Sequence, residues 1–149
     1  MPSSEYQYII QPSLPSPADY VRLRTLSGLT PPPVSAVPLA LSNSIHCLLA
    51  TTSPTSPEQG EAVSEVVGMV RLIGDGALFL QLVDVCVDPA HQGRGLGDRL
   101  VSQMCAWIDE NAGDAYVSLI ADPMGQGLYR KKGFVETSGI GMRRSKWGR

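Results

Sequence analysis

The chain has little charge, few aromatic rings and only two histidines, and each shortage removes a class of function. With 17% charged residues and a formal balance of −2, it has no overall field to draw it to nucleic acid or to an anionic membrane. Basic residues do group locally, at Arg130, Lys131 and Lys132 and again at Arg143, Arg144, Lys146 and Arg149. That pattern suits a solvated face or a small polyanion rather than a duplex. No apolar run approaches the ~20 residues of a bilayer span. The opening "MPSSEYQYIIQPSLPSP" lacks a basic segment followed by a long apolar one, so neither export nor a membrane partner is expected. Cysteine is scarce too. Cys47, Cys86 and Cys105 are an odd number, lie in apolar stretches and show no metal-ligand spacing, so they read as buried thiols of a reducing, cytoplasmic setting with no metal site. No internal repeat is present, and a chain of 149 residues is expected to form one domain over 1–149.

What is there is a regular succession of strand and helix signals. "EYQYIIQP" (5–12) reads as a strand, and "SPADYVRLRTLSG" (16–28) as a helix with Ser16 as N-cap, Pro17 at its first position and Gly28 as its stop. "PPPVSAVPLALSNS" (31–44) is expected to be a second helix starting at its prolines, with Pro38 a candidate break. "SIHCLLATT" (44–52) is a strand, with His46 as a packed core residue, and "SPTSPEQGEAVS" (53–64) a mobile surface loop. Two strands follow within 65–87, turning at Gly74-Asp75-Gly76, and the nearly unbroken apolar run Ala77–Val87 suggests a central strand covered on both faces. Leu96, Leu100, Met104 and Trp107-Ile108 recur at helical spacing up to Asn111-Ala112-Gly113. "AYVSLIAD" (115–122) is a strand, "MGQGLYRKKGF" (124–134) a short helix closed by Gly133, and "ETSGIGMRR" (136–144) a last strand.

The most informative stretch is "VDVCVDPAHQGRGLGDRLV" (83–101), a strand that turns through three glycines into a helix. Glycine permits the sharp turn and removes the Cβ that would hold an anion away, while the first turn of a helix offers unpaired N–H groups and roughly half a positive charge. Arg94 adds a full charge, so the corner is suited to phosphate. It is not a Walker loop, since the lysine and hydroxyl are missing, and Gly93-x-Gly95-x-Gly97 is spaced wrongly for a dinucleotide fingerprint. What stands there is Gln92-x-x-Gly95-x-Gly97 behind "VCVDPAH".

This pattern resembles the signature of the GNAT superfamily of acyl-CoA-dependent N-acetyltransferases, and "GLYRKKGF", with Tyr129 and Gly133-Phe134, resembles the family's second landmark downstream. The resemblance covers about residues 64–144. It implies an α/β (α+β) fold: a mixed, mostly antiparallel sheet of six to seven strands with about four helices, splayed between the 77–87 and 115–122 strands. It further implies acetyl-CoA as cosubstrate, held by Val85, Cys86, Val87, Gln92, Gly93, Arg94, Gly95, Leu96, Gly97 and Tyr129, and direct transfer of its acetyl group to a primary amine. Tyr129 is implied as the acid that protonates the leaving thiolate. A small-molecule amine is the expected acceptor; a protein N-terminus or lysine, or a regulatory module that binds acyl-CoA without turnover, are the alternatives. A homodimer is one expected state, since relatives are often dimers.

Other residues need separate treatment. Asp84 is a carboxylate in an apolar strand, where burial without a partner is costly. Two roles are open to it: attracting the acceptor's ammonium and relaying its proton as a catalytic group, or pairing with a buried donor such as an arginine. Gln81 stands where some relatives carry a glutamate base, and an amide cannot serve as one, so the general base stays unassigned. Asp122 departs from an asparagine common in relatives. Cys86 reads as a small buried hydrophobe, and His91 as a loop residue or a neighbour of the diphosphate rather than a base. Asp19, Glu58, Glu61 and Glu65, or Tyr6, Tyr8 and Tyr20, are candidates for the acceptor side.

Overall fold

Five strands lie side by side in the order in which the chain makes them: β1 (Tyr6–Pro12), β2 (His46–Pro54), β3 (Val66–Gly74), β4 (Phe79–Val87) and β5 (Tyr116–Ser118). In this computed structural model the first three pairings, β1–β2, β2–β3 and β3–β4, run antiparallel, and β5 joins β4 in parallel. Helices α1 (Pro17–Leu26) and α2 (Val37–Ser42) fall between β1 and β2, α3 (Leu96–Asn111) makes the crossover from β4 to β5, and α4 (Gln126–Lys131) follows. The structure describes residues 6–54 and 64–148, so most of the expected 53–64 loop, with Glu58 and Glu61, lies outside the described residues, as does Arg149. Among the described residues no helix is long and apolar enough to cross a membrane.

Local signals set the helices. The Ser16 hydroxyl accepts the Asp19 N–H at 3.1 Å and Pro17 begins α1, whose Tyr20 and Leu23 turn inward. In α3 the buried residues are Leu96, Leu100, Val101, Met104 and Ile108, a stripe of helical period laid over β2, β3 and β4. The sheet thus separates two packed layers. One joins α3 to Leu48, Val70, Leu72, Leu80 and Leu82; the other joins Leu23, Val37 and Leu41 to Cys47, Leu49, Met69 and Cys86. Truncating a fully buried member such as Leu100 or Met104 to alanine removes about 2–5 kcal/mol of stability. His46 packs flat on Trp107, ring centroids 4.2 Å apart, and burial lowers its pKa.

Several expectations are corrected. The sheet has five strands rather than six to seven, because residues 136–144 form no strand: Gly139 and Gly141 give that segment few side chains to pack, and its nearest potential partner, β5, is only three residues long. The second helix starts at Val37, after a 3-10 turn at Val34–Ala36, so Pro38 sits in its first turn and initiates it instead of breaking it. The strand buried without interruption is β3, from Val67 to Leu72; β4 alternates, since β5 pairs only with its first three residues.

The β3–β4 turn is built around Asp75, whose carboxylate accepts N–H groups from Ala77, Leu78 and Phe79 at 2.8, 2.7 and 3.1 Å, which holds its pKa below the usual range. Gly74 has φ 139°, and a Cβ there would lie 2.1 Å from the Phe79 carbonyl oxygen. Gly76 also has positive φ, at 83°, but its Cβ would meet only Ile45 at 3.7 Å. Gly76→Ala is therefore expected to cost about 1–2 kcal/mol in urea unfolding, the cost of the left-handed backbone alone. Gly74→Ala should cost at least about twice as much, because backbone atoms must also move; equal costs would show that the turn relaxes freely.

Candidate functional site

A single irregularity in β4 organises the site. Pairing with β3 runs from Arg71↔Val83 to Met69↔Cys86, so two residues of β4, Asp84 and Val85, face one of β3. Asp84 takes φ 58°, the one positive value among the described non-glycine residues. This bulge shifts the phase of the strand. Leu82, Val85 and Val87 pack with the α3 layer, whereas Val83 and Asp84, neighbours in sequence, both line a cavity of about 250 Å³ beneath α1 and α2. Cys86 follows on that same face.

The second consequence is at the edge of the strand. The β4–β5 ladder comprises Phe79↔Tyr116, Leu80↔Val117 and Gln81↔Ser118 and then ends, three residues before the bulge. From there β4 continues as an edge through Val85, Cys86 and Val87 into a 3-10 turn at Pro89–His91 and the glycine corner. Gly93 and Gly95 both have φ 79°, and a Cβ at either would meet nothing within 4 Å, so backbone conformation and not space requires glycine there. Gly95 caps α3 without a side chain, and the first helical bond is Arg99 N–H to the Gly95 carbonyl. The amides ahead of it have no intrahelical acceptor.

The corner is braced from several sides. Gln92 folds back and donates from Nε2 to the Val87 carbonyl at 3.0 Å. His91 is buried, with Nδ1 2.7 Å from the Tyr8 hydroxyl and the rings of Tyr6 and Tyr8 edge-on to it at 5.6 Å. Tyr6 and Tyr8 therefore serve this loop and not an acceptor pocket. Arg94 is exposed, its guanidinium 6.0 Å from the Tyr8 ring. Leu96 is an anchor of α3 in the core, and Asp98 in the first turn is paired with Lys132 at 3.1 Å.

Tyr129, on α4, is half-buried and edge-on to Phe134 at 6.0 Å; a Cβ on Gly125 would come within 3.0 Å of its ring. Burial, then the charge of Asp122, raises its pKa, so it keeps its proton. Burial also pushes the Cys86 thiol up to about 12 and the Cys47 thiol up to about 11. Neither is poised as a nucleophile. A separate concavity of about 1130 Å³ runs along β5 against residues 134–141; Tyr129 lines it and no β4 residue does.

Asp84 is the centre of a buried cluster. Its Oδ2 accepts the Tyr20 hydroxyl at 2.8 Å and Arg71 Nε at 2.9 Å, and its Oδ1 accepts Arg24 Nη1 at 2.5 Å. Of the two roles open to this carboxylate, the structure builds the pairing with arginine. Arg71 Nη1 reaches on to the Ala40 carbonyl and the Ser44 hydroxyl, both at 3.2 Å, and Arg24 donates from Nε and Nη2 to the Thr30 carbonyl. Trp147 lies over Arg24 at 5.5 Å. Asp19 and Glu65 are instead drawn to Arg22 on the surface, at 3.0 and 3.9 Å. Sequence reading named neither Arg24 nor Arg71, although one signal was there: a lone arginine inside "VVGMVRLIG" followed by a lone aspartate inside "FLQLVDVCV".

A parallel strand pair that parts beside a bulge, followed by a glycine-capped helix, defines a class. The family model described as Acetyltransferase (GNAT) domain matches residues 47–136, and the chain belongs to this family. It is similar to the Glycine max protein named Histone acetyltransferase TAP1, 32% identical over 104 residues, which covers 68% of this chain and 44% of that one. It is also 32% identical over 110 residues to the Oryza sativa protein named Probable glucosamine 6-phosphate N-acetyltransferase 2, over 66% of this chain and 59% of that one. The chain thus spans less than half of the soybean protein. Among solved structures, a probable acetyltransferase of Staphylococcus aureus superposes with a TM-score of 0.79 at 28% identity, covering 93% of this chain and 99% of that one. A GNAT family acetyltransferase of Streptococcus pneumoniae gives 0.66 at 27%, covering 93% and 100%.

Two outcomes test the cluster. Asp84→Asn strands two buried guanidiniums and should cost about 3–5 kcal/mol, read as a fall in the urea midpoint at unchanged slope; a change under about 1 kcal/mol would mean that the pairs are solvated. Burial, together with the Asp84 charge and hydrogen bond, pushes Tyr20 up to about 12. A phenol whose folded pKa lies above its unfolded value of about 10 contributes stability that is complete below pH ~10 and lost as pH climbs toward 12. Phenolate absorbance should therefore show a last ionisation that coincides with loss of stability and vanishes in Tyr20→Phe.

Proposed function

We propose that this chain is an acetyl-CoA-dependent N-acetyltransferase that passes its acetyl group directly to a primary amine of a small molecule. The observation that carries the reading is the end of the β4–β5 ladder at Gln81–Ser118, beyond which β4 leads as a free edge into the amino end of α3. An edge strand offers alternating N–H and C=O groups to an extended, amide-bearing arm, and the α3 terminus offers N–H groups to a diphosphate. This donor set fits coenzyme A. Val85, Cys86 and Val87 are assigned the arm; Gln92, Gly93, Arg94, Gly95, Leu96 and Gly97 form the diphosphate corner, chiefly through backbone.

Acetyl-CoA supplies the activated thioester. The N–H of Val85, on the edge just past the bulge, is assigned as the donor toward charge developing on the acyl oxygen. Tyr129, which holds its proton, is assigned as the acid for the departing thiolate. Cys86, kept protonated, is not an acyl carrier. Gln81 takes no proton, and Asp84, its oxygens occupied by three donors, positions the arginines around the acceptor side instead of serving as the base. Three cysteines, an odd number without metal-ligand spacing, favour a reducing compartment.

A cavity of about 250 Å³ beside the bulge supports a small acceptor. The likeness to a protein named for histones favours a second reading, a lysine or N-terminus of another protein as acceptor.

Calorimetry with coenzyme A and acetyl-CoA should give heat of binding; a folded chain that gives none removes the reading. Tyr129→Phe should lower kcat roughly 100-fold while the heat of coenzyme binding is kept, and unchanged turnover would remove the tyrosine from the chemistry. Consumption of acetyl-CoA with peptides alone would move the acceptor to the second reading.

A further inference from the structure

The cavity beneath α1 and α2 holds more positive charge than its own residues neutralise. Two guanidiniums, Arg24 and Arg71, and one carboxylate, Asp84, line it, which leaves one positive charge in excess. Tyr20, the other polar ring there, is held neutral by burial and by Asp84. Arg71 is tied by Nε to Asp84 and by Nη1 to the Ala40 carbonyl and the Ser44 hydroxyl, with Tyr20 beside it, so its charge is fixed at the wall of the cavity. The rest of the wall is apolar: Pro32, Pro33, Val37 and the Trp147 ring that lies over Arg24. Val83 and Asp84 belong both to this wall and to the strand whose edge is assigned to the acyl arm.

We propose that the acceptor is an amine bearing a carboxylate on an apolar body, an amino acid or close analogue, whose carboxylate is held by Arg24 and Arg71 and whose apolar part lies against Trp147 and Pro32–Pro33. This rests on the transfer reading above. A simple alkylammonium entering the cavity meets like charge, whereas a zwitterion brings the anion that the site lacks. One excess charge matches a carboxylate monoanion better than a phosphate dianion, and the space suits a molecule of amino-acid size. Tyr20, Arg24, the prolines and Trp147 lie outside the matched residues 47–136, so the family match does not itself specify this wall.

The test measures kcat/KM for matched pairs: leucine against the amine left by its decarboxylation, phenylalanine against phenethylamine, and glucosamine 6-phosphate against glucosamine. The carboxylate-bearing member should be favoured roughly tenfold or more, the effect of a charged hydrogen bond in a half-dry site. Arg24→Gln leaves Asp84 with Arg71 and Tyr20 as a neutral cluster, so it is expected to fold; in it the ratio should collapse, while Arg24→Lys should restore part of it. Equal or better use of the decarboxylated amine overturns the proposal and leaves the transfer reading standing, and so does a preference confined to the phosphate-bearing sugar. Coenzyme heat with no consumption from any pair overturns it as well. Absence of coenzyme heat is the separate failure, that of the transfer reading.

Discussion

The contact on which the α1 side of the molecule depends is that of the Asp84 carboxylate with Arg24, Arg71 and Tyr20. Through Tyr20 and Arg24 it fastens α1 to the sheet, and through Arg71 it reaches Ala40 and Ser44 at the end of α2. Buried ion pairs are poor value as stabilisers, because desolvation offsets most of their attraction and an apolar cluster of equal volume serves as well. What the cluster achieves is arrangement. Asp84 reaches these partners only because the backbone takes φ 58° and turns its side chain to the same face as Val83; with regular alternation it would lie on the α3 face, among leucines. The strained backbone and the three-donor carboxylate require one another.

That same bulge explains the geometry on the other flank of β4. A bulge bends its strand and increases the local twist, which is incompatible with a long flat ladder to a parallel neighbour. The β4–β5 pairing accordingly stops three residues short of Asp84. The edge proposed for an acyl arm and the charged cavity proposed for an acceptor therefore flank one defect in the strand.

Much of this was legible in the sequence where the cause is local. Ser16-Pro17 starts α1, Gly28 and Gly133 end helices at φ 81° and 91°, and Gly93 and Gly95 supply the left-handed turns before α3. Those signals act within a few residues and do not depend on the rest of the chain. The features that escaped it are set by pairing across distance. Nothing in "FLQLVDVCV" shows that its alternation slips at Asp84, since the slip exists only against β3. Arg24 is sixty residues from Asp84, and a basic residue on a half-polar helix looks like a surface residue until the helix is docked. Residues 136–144 read as a strand only if their glycines are overlooked, and a strand needs a partner, whereas β5 ends at Ser118.

The two sides of the site differ in what holds them. The proposed coenzyme side rests on backbone: amides of the β4 edge, amides of the α3 terminus, and glycines needed only for their φ. Its ionisable groups, Tyr129 and Cys86, are kept neutral by burial, as the proposed protonation of a departing thiolate requires. The proposed acceptor side rests on side chains and on an unbalanced charge. Backbone donors survive most substitutions, whereas a single change at Arg24 alters the sign of the cavity from net positive to neutral without disturbing the Asp84–Arg71 pair. On this proposal a scaffold divided in this way can keep one acyl donor while exchanging acceptors, because the residues proposed to select the acceptor are fixed to the bulge but do not create it.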